Sequence, residues 1–482
     1  MKQANLFLVS DSTNKAQYFR EIITYSGLLH SKIELSDIET IENSACIIIF
    51  YGRFDYDKKL AKNIKKLAKK GHSIIIVNPS GGSKRLERYA GIKIRDPGDF
   101  PFSIGGTQNN SLGEGFLRIS DKGLTDHFMD KLAENPFPLH GFGSTAIKSA
   151  DSKIIATYTP TTNSSSYPCI TSRDIGNGRI IIFGPDIVYT TRKIQEGNYV
   201  FQDGVPPADG MAPIDDGILK CEDGLVLDWN ADRRPVSPSY KVPAVIVPIV
   251  DVWRELLVQI IILAGHKSKV PIKRVMYWPE GSEFAALISH DTDGNDEELA
   301  RILLQRINDY GIKTTWCLIP PGYSPDLCKE IKTHGHELAF HFDAQSYKLL
   351  DIFSFESLEG QFQDTLENTR IKSFYSNKNH YTRWERRTEF FQWLSKLGMK
   401  IDQSKGPSKC GTIGFPFGSA HPWIPTDNYG NLIDCLELSF QSQDLGMQGP
   451  DDIGKNIVDV VRSVNGVVYF IFHPEHKKKK DV

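Results

Sequence analysis

Two carboxylates stand directly after an apolar run in the stretch FAALISHDTDGND, from Phe284 to Asp296. Asp291 and Asp293 are two residues apart, and side chains with that spacing on extended backbone point to the same side. A divalent cation relieves the repulsion between two such carboxylates, and the one that stays free can act as a base. The pair predicts a metal-assisted acid–base site. The acidic residues that follow are equally typical of a helix N-terminus.

Histidines surround the next such run, HGHELAFHFDAQ, from His334 to Gln345. His341 ends its apolar part, and Asp343 follows two residues later. Imidazole is a frequent ligand of transition metals. One histidine in this setting is more often structural, but its combination with the earlier carboxylate pair predicts metal binding.

Three further polar clusters follow apolar or β-like runs. They are FYSNKNHYTRW with His380, GFPFGSAHPW with His421, and VVYFIFHPEH, in which His473 follows the last apolar run. Each cluster alone is typical of a structural role. Together they predict one shared pocket, because the residues that follow the strands of an α/β barrel lie at one rim.

The elements that must position these residues alternate between strand-like and helix-like segments. Apolar runs such as Arg179–Phe183 are typical of strands covered on both faces, and Tyr56–Gly71 has helical spacing. Such alternation predicts parallel sheets with right-handed crossovers. The expected parts are an open α/β domain over 1–200, a Pro- and Gly-rich connecting segment with a helix over 201–270, and a second α/β domain over 271–482.

Composition narrows the function classes. The chain has 482 residues, 40% of them hydrophobic and 24% charged, and its formal net charge of −2 gives no reason to expect a nucleic-acid partner. The longest apolar stretch, Leu256–Ala264, is far below the roughly 20 residues of a membrane span. The seven cysteines form no CxxC pair and no signal peptide is evident, so we expect a cytoplasmic protein with reduced thiols. No sequence feature indicates the oligomeric state.

Residues from about 280 to 476 resemble the polysaccharide deacetylase family, also described as NodB-homology domains or carbohydrate esterase family 4. The resemblance implies a distorted (β/α) barrel that uses a divalent metal, in the first place zinc, to remove acetyl groups from sugars. The stretch SHDTDG is similar to the family's first motif, which implies Asp291 as the catalytic base and Asp293 as a metal ligand. FIFHPEH is similar to its last motif, which implies His473 as the general acid.

The second and third motifs depart from the family pattern. GHELAFHFDAQ aligns His341 with the first metal histidine, but Gln345 stands where the second is expected. Catalytic zinc usually has three protein ligands. His380 is the candidate for the third ligand, although SNKNHYTRW lacks the family's Arg and Pro pattern. His336 and His421 are weaker candidates.

The first 200 residues resemble, more loosely, the flavodoxin-like α/β domain of class I glutamine amidotransferases, chiefly through GNGRIIIFGPD. The catalytic cysteine of that fold lies in a turn between a strand and a helix. The corresponding stretch here, IIIVNPSGGSKR, has Ser80 and no cysteine. We therefore expect no amidase activity, and a role in substrate positioning or in contacts. Ser80 as a nucleophile is the alternative to a plain turn.

These features predict a metal-dependent enzyme that N-deacetylates an acetylated sugar or polysaccharide precursor. The residues expected to contact the substrate are Tyr381, Arg383, Trp384, His421 and Trp423. One alternative is a metal-dependent amidohydrolase that acts on a non-sugar amide, such as a ring amide or an imide. Another is a non-catalytic carbohydrate-binding protein on a degenerate barrel, which Gln345 favours.

Overall fold

The computed structural model describes residues 5–41, 44–79, 83–95, 111–132, 135–161, 165–204, 217–236, 242–345, 352–445 and 451–474. Ser80 lies outside this described part. The chain is of mixed α/β class and divides into two compact units. The first unit comprises Met1–Thr191 and Val252–Pro279, and the second comprises Arg192–Asp251 and Glu280–Val482.

The first unit contains a nine-stranded mixed sheet. Its elements are β1 (Leu6–Ser10), α1 (Asn14–Tyr25), β2 (Ser31–Lys32), β3 (Ile47–Tyr51), α2 (Lys58–Lys69), β4 (Ser73–Val77), α3 (Lys84–Ala90), β5 (Ile92–Ile94), β6 (Ser111–Ile119), α4 (Lys122–Lys131), β7 (Leu139–Thr145), β8 (Ile147–Ser149), β9 (Lys153–Pro160), β10 (Tyr167–Ile175) and β11 (Gly178–Phe183). The strand order is β2-β1-β3-β4-β11-β10-β9-β6-β7, and β5 pairs with β8 in a separate ribbon. Helices α5 (Ile187–Glu196) and α6 (Ile249–Ser268) each contain a boundary between the units.

Only half of this large sheet has the parallel order that the sequence predicts. Strands β2, β1, β3, β4 and β11 are parallel, and every position of β3 and β4 is buried, as expected for strands covered on both faces. Strands β10, β9, β6 and β7 are antiparallel. Between β10 and β11, the connection at Gly176 and Asn177 allows a hairpin and is too short for a crossover helix.

The second unit contains an eight-stranded sheet in which every pairing is parallel. Its elements are β12 (Ala285–Asp291), α7 (Glu297–Asp309), β13 (Thr315–Leu318), α8 (Pro325–Thr333), β14 (Glu337–Phe342), α9 (Phe355–Thr369), β15 (Ser376–Asn379), α10 (Glu389–Lys396), β16 (Ile401–Asp402), β17 (Leu436–Glu437), β18 (Ser442–Gln443), α11 (Asp451–Ser463) and β19 (Val467–Phe472). The strand order is β17-β16-β15-β14-β13-β12-β19-β18.

This parallel sheet is strongly curled. Strands β17 and β18 lie at its two opposite edges, yet only residues 438–441 connect them. A connection of that length reaches about 18 Å, whereas the edges of a flat sheet of eight strands are about 34 Å apart. A hydrogen bond confirms the curl: the hydroxyl of Tyr469 in β19 donates to Gln403 Oε1, directly after β16, at 2.5 Å. The second unit is therefore a curled, barrel-like parallel sheet.

Helices α7 to α10 pack on the outside of this sheet around a large apolar core. Trp316, Phe340 and Phe390 are fully buried in this core. No helix in the described ranges combines the length and the apolar character that a membrane span needs.

A buried carboxylate fixes the loop that follows β16. Glu222 is fully buried and accepts hydrogen bonds from the backbone amides of Ser408 and Lys409, at 2.5 and 2.7 Å. It also accepts from the hydroxyls of Ser408 and Thr412, at 2.8 and 2.9 Å. The carboxylate thus accepts from two backbone amides and two hydroxyls of this loop, as buried polar groups generally require.

We predict that Glu222→Ala lowers the free energy of unfolding by about 3 kcal/mol or more, because several buried donors lose their acceptor together. Thermal unfolding followed by circular dichroism should show a lower Tm for this variant. Glu359→Ala, which removes an exposed carboxylate, serves as the control and should unfold as the wild type does. Equal Tm values for the two variants would contradict the role given to Glu222.

Candidate metal centre

The carboxyl ends of four parallel strands bring the candidate residues together. Asp291 ends β12, and Asp293 follows it by two residues. His341 is the penultimate residue of β14, while His380 and His473 come directly after β15 and β19. Because all these strands are parallel, their carboxyl ends lie at one rim of the sheet.

Three of these side chains form a group that can hold a metal ion. Asp293, His341 and His380 each offer one ligand atom, and these atoms lie within 4.8 Å of one another. His341 Nε2 is 3.2 Å from Asp293 Oδ1, and His380 Nε2 is 3.5 Å from Asp293 Oδ2. Two imidazoles and one carboxylate form a ligand set that catalytic zinc uses, so the residues present fit a zinc-type ion.

The second ring nitrogen of each imidazole has its own acceptor. His341 Nδ1 donates to the backbone carbonyl of Lys378 at 2.9 Å, and His380 Nδ1 donates to Asp343 Oδ1 at 3.0 Å. These bonds leave each Nε2 facing Asp293. Such hydrogen bonds fix the orientation of the ring and raise its basicity as a ligand.

Protons and a metal compete for this group. Burial alone would lower the pKa of His380, but hydrogen bonds to Asp293 and Asp343 raise it to about 9. Burial alone would raise the pKa of Asp293, but His341 and His380 hold it far below the usual range of a carboxyl group. A bound cation would replace the imidazolium proton, so metal affinity should fall as the pH is lowered.

Asp291 lies beside the metal-ligating group and contacts a buried ammonium. Its Oδ2 is 3.9 Å from His341 Nε2, and its Oδ1 is 3.5 Å from Lys378 Nζ. Lys378 is 1% exposed, and its Nζ also donates to Ser289 Oγ and Tyr469 OH at 3.4 and 3.3 Å. The Lys378 ammonium therefore holds Asp291 beside the metal-ligating group, and Lys378 is not itself a member of that group.

His473 lies beside both Asp291 and Asp293 and is paired with Asp444. Its Nδ1 donates to Asp444 Oδ2 at 2.6 Å, and its backbone amide donates to Asp444 Oδ1 at 2.9 Å. Burial alone would lower the pKa of His473, but Asp444 and the charges of Asp291 and Asp293 raise it to about 9. Its Nε2 is 3.7 Å from Asp293 Oδ2. His473 can therefore hold a proton at Nε2 near neutral pH.

The weaker candidates for the third ligand lie elsewhere. His336, just before β14, accepts a hydrogen bond at Nδ1 from the backbone amide of Thr314. His421 donates from Nε2 to the carbonyl of Val464 at 2.8 Å. Gln345 contacts Asp343 through its backbone amide. His380, directly after β15, is therefore the residue that offers the third ligand of the candidate group.

The residues expected to contact substrate divide into two sets. Tyr381 is 52% exposed, and its ring centroid is 4.5 Å from that of His380. Arg383 forms an ion pair with Glu385 and is largely buried. Trp384 is 1% exposed and packs in the apolar core of the second unit.

Trp423 is part of the same core and His421 is buried as well. Side chains that are buried in the core present no ring face to a sugar. Burial therefore argues against the expectation that Trp384, Trp423 and His421 bind substrate. Tyr381 remains the exposed candidate.

Sequence reasoning missed three residues that contact the candidate group. The spacing of Asp343 from His341 offered a weak signal, since it repeats the pattern of the first aspartate pair. Lys378 offered another, as a charge inside a short β-like segment between two asparagines. Asp444 is 29 residues from His473, and no sequence pattern links them.

No family model and no curated protein matches the chain. Among solved structures, the carbohydrate deacetylase Agd3 matches with 9% identity over 99% of this chain and 80% of its own, at a TM-score of 0.34. A candidate polysaccharide deacetylase involved in O-antigen biosynthesis, from Bordetella bronchiseptica, matches with 16% identity over 41% of this chain and 75% of its own, at 0.29. A mutant of a CE4 family pseudoenzyme matches with 13% identity over 39% of this chain and 56% of its own, at 0.24. TM-scores this low carry no argument about activity, so the activity is argued from the site residues.

We predict that the wild-type protein binds about one zinc ion per chain, with the three protein ligands usual for catalytic zinc. Asp293→Ala, His341→Ala and His380→Ala should each lose most of that zinc in elemental analysis after gel filtration. His334→Ala removes an exposed histidine and is the control, which should keep the wild-type content. Full zinc retention in His380→Ala would show that the third ligand lies elsewhere.

Proposed function

We propose that the second unit is a metal-dependent hydrolase that removes acetyl groups from an acetylated sugar or polysaccharide precursor by breaking a C–N amide bond. One observation carries the proposal: a carboxylate outside the three-residue ligand group, Asp291, and an imidazole paired with Asp444, His473, both lie beside that group. Amide hydrolysis needs a base that activates water and an acid that protonates the leaving amine. The resemblance of the motifs to deacetylases supports the choice of an acetylated sugar.

A divalent ion of the zinc type, held by Asp293, His341 and His380, would polarise the acetyl carbonyl and lower the pKa of water. The residues of the chain supply the proton transfers. Asp291 accepts the proton of the attacking water, and the ammonium of Lys378, 3.5 Å from Asp291 Oδ1, orients this carboxylate.

His473 donates a proton from Nε2 to the leaving nitrogen. Asp444 serves this step in two ways: it keeps Nδ1 protonated and it stabilises the imidazolium. Base and acid are close, with His473 Nε2 3.9 Å from Asp291 Oδ2. Both groups can therefore act at one reacting amide. Tyr381, exposed beside His380, is the proposed contact to the sugar ring.

We propose a non-catalytic role for the first unit. Asn78 lies directly after β4, in the stretch that leads to Ser80, and has the left-handed conformation, with φ of 42°. Its backbone amide donates to the carbonyl of Phe183, and its side chain accepts from Thr145. The stretch from β4 to α3 contains no cysteine, the nucleophile that the amidotransferase-like fold would need.

We also propose that the protein works in a reducing compartment such as the cytoplasm. All seven cysteines are free thiols, and Cys410 is the exposed one. Disulfide bonds are the usual outcome for paired thiols in oxidising compartments.

We predict that the zinc-loaded protein releases acetate from an N-acetylated amino-sugar oligomer. Asp291→Asn should lower kcat by about 100-fold or more, the size of a lost general base, and should keep the zinc. Asp309→Asn, a change at the end of α7, is the control. Turnover of a ring amide but of no acetylated sugar would favour the amidohydrolase alternative. Sugar binding by the zinc-loaded protein without acetate release would favour a binding protein.

We predict that Asp444→Asn shifts the alkaline limb of kcat/KM to lower pH by about one unit, because the loss of a contacting carboxylate lowers the pKa of an imidazole. His473 must be protonated to act as the acid, so activity falls as the pH rises through its pKa. The measurement is a pH profile of acetate release by the wild type and the variant. An unchanged alkaline limb would exclude His473 as the group that sets it.

A further inference from the structure

Two carboxyl groups that the proposed reaction does not use face each other in the second unit. Asp402 in β16 and Glu437 in β17 are register partners in adjacent parallel strands, so their side chains lie on the same side of the sheet. Both are fully buried. Two carboxylates at that spacing, away from water, repel each other strongly.

One oxygen of each group is well supplied with donors. Asp402 Oδ1 accepts from Asn377 Nδ2 at 2.8 Å and from Ser404 Oγ at 2.7 Å. Glu437 Oε1 accepts from the backbone amide of Lys405 at 3.1 Å and from Ser439 Oγ at 3.2 Å. The other oxygens, Asp402 Oδ2 and Glu437 Oε2, are buried, and no donor within the described ranges reaches them. A single proton between these two oxygens would satisfy both of them and remove one negative charge.

The same aspartate begins a chain of hydrogen bonds that leads to His380. Asn377 Nδ2 donates to Asp402 Oδ1 and also to Asn379 Oδ1, the latter at 3.0 Å. Because its oxygen accepts this bond, Asn379 donates with Nδ2 to the carbonyl of Arg383 at 2.9 Å. Its backbone amide donates to Ser404 Oγ, which is bonded to Asp402 as well.

This series of hydrogen bonds closes a strained turn. Tyr381 and Thr382 both have positive φ, 57° and 53°, a conformation that is strained for residues other than glycine and persists only when surrounding contacts enforce it. The turn starts at His380, the nitrogen ligand that replaces the one missing at Gln345. The bond from Asn379 to Arg383 joins the two ends of the turn.

We propose that Asp402 and Glu437 share one proton between Oδ2 and Oε2, and that this pair acts as a positioning element for the turn that carries His380. The second half of the proposal rests on the proposed metal site. Burial raises the pKa of both carboxyl groups, and the negative charge of Asp402 raises that of Glu437 further, which assigns the proton to Glu437. The other titratable groups facing the pair are Lys405, Tyr469, Cys435 and Cys221.

The first half is tested on protein without metal, by infrared difference spectroscopy at neutral pH. The wild type should show the C=O stretching band of a protonated carboxyl group that Glu437→Gln lacks, because the amide donates to Asp402 in place of the proton. Glu389→Gln changes a carboxyl group whose pKa is lowered by hydrogen bonds from backbone amides despite its burial, and it should leave the acid bands unchanged. Identical acid bands in the wild type and Glu437→Gln would overturn the shared proton.

The second half is tested by zinc titration. Asp402→Ala cuts the hydrogen-bond chain and should weaken zinc binding by about tenfold or more, within the range seen when groups that orient metal ligands are lost. Asp402→Asn keeps the acceptor for Asn377 and should restore binding to within about threefold. Equal zinc affinity of Asp402→Ala and the wild type would overturn the positioning role. If Asp402→Ala does not fold, Asn377→Ala cuts the chain one bond later.

The two experiments also separate this inference from the proposed function. A wild-type protein that binds no zinc would contradict the metal site and with it the positioning role, while the infrared result would still decide the shared proton. Normal zinc binding with no difference between the alanine and asparagine variants would contradict the positioning role alone.

Discussion

The contact of Asp293 with two imidazoles is the interaction on which the candidate site depends. Asp293 Oδ1 faces His341 and its Oδ2 faces His380, so one carboxylate joins the ends of strands β12, β14 and β15. The parallel, curled sheet makes this possible, because it brings the carboxyl ends of those strands to one rim. Every other group of the site is placed relative to this carboxylate.

Charge balance explains why so many ionisable side chains can share this rim. Four carboxylates approach one another there: Asp291, Asp293, Asp343 and Asp444. Opposite them lie the ammonium of Lys378 and the imidazoles of His380 and His473, and the imidazole of His341 also contacts Asp293. A divalent ion would add positive charge where Asp293 meets two imidazoles, which is the physical reason for regarding the group as a metal site and for assigning the remaining acid and base to its flanks.

The sequence predicted the parts of this site that follow from local order. The aspartate pair after an apolar run, His341 at the end of the next and His473 after the last were identified because strand ends are visible as changes from apolar to polar residues. Their meeting in space also followed from the expected parallel order. The assignment of catalytic and ligand roles to these residues stays a prediction.

Contacts between distant strands could not be predicted in the same way. The approach of Lys378 in β15 to Asp291 in β12 depends on the curl of the sheet, and the pairing of His473 with Asp444 depends on β18 and β19 being neighbours. No local pattern encodes either arrangement. Trp384 and Trp423 pack in the core, and aromatic composition does not distinguish a core residue from a sugar platform. The antiparallel half of the first unit was missed because the alternation of strand-like and helix-like segments predicts parallel strands and does not reveal hairpins such as the one at Gly176.

X-ray absorption spectroscopy at the zinc edge, on the zinc-loaded wild-type protein and on His380→Ala, tests the central claim most directly. The account predicts that the wild-type ion is bound by two imidazoles and by oxygen, with no sulfur, and that the variant loses one imidazole from the spectrum. An unchanged spectrum in the variant, or a sulfur ligand in the wild type, would contradict the claim that Asp293, His341 and His380 form the metal site.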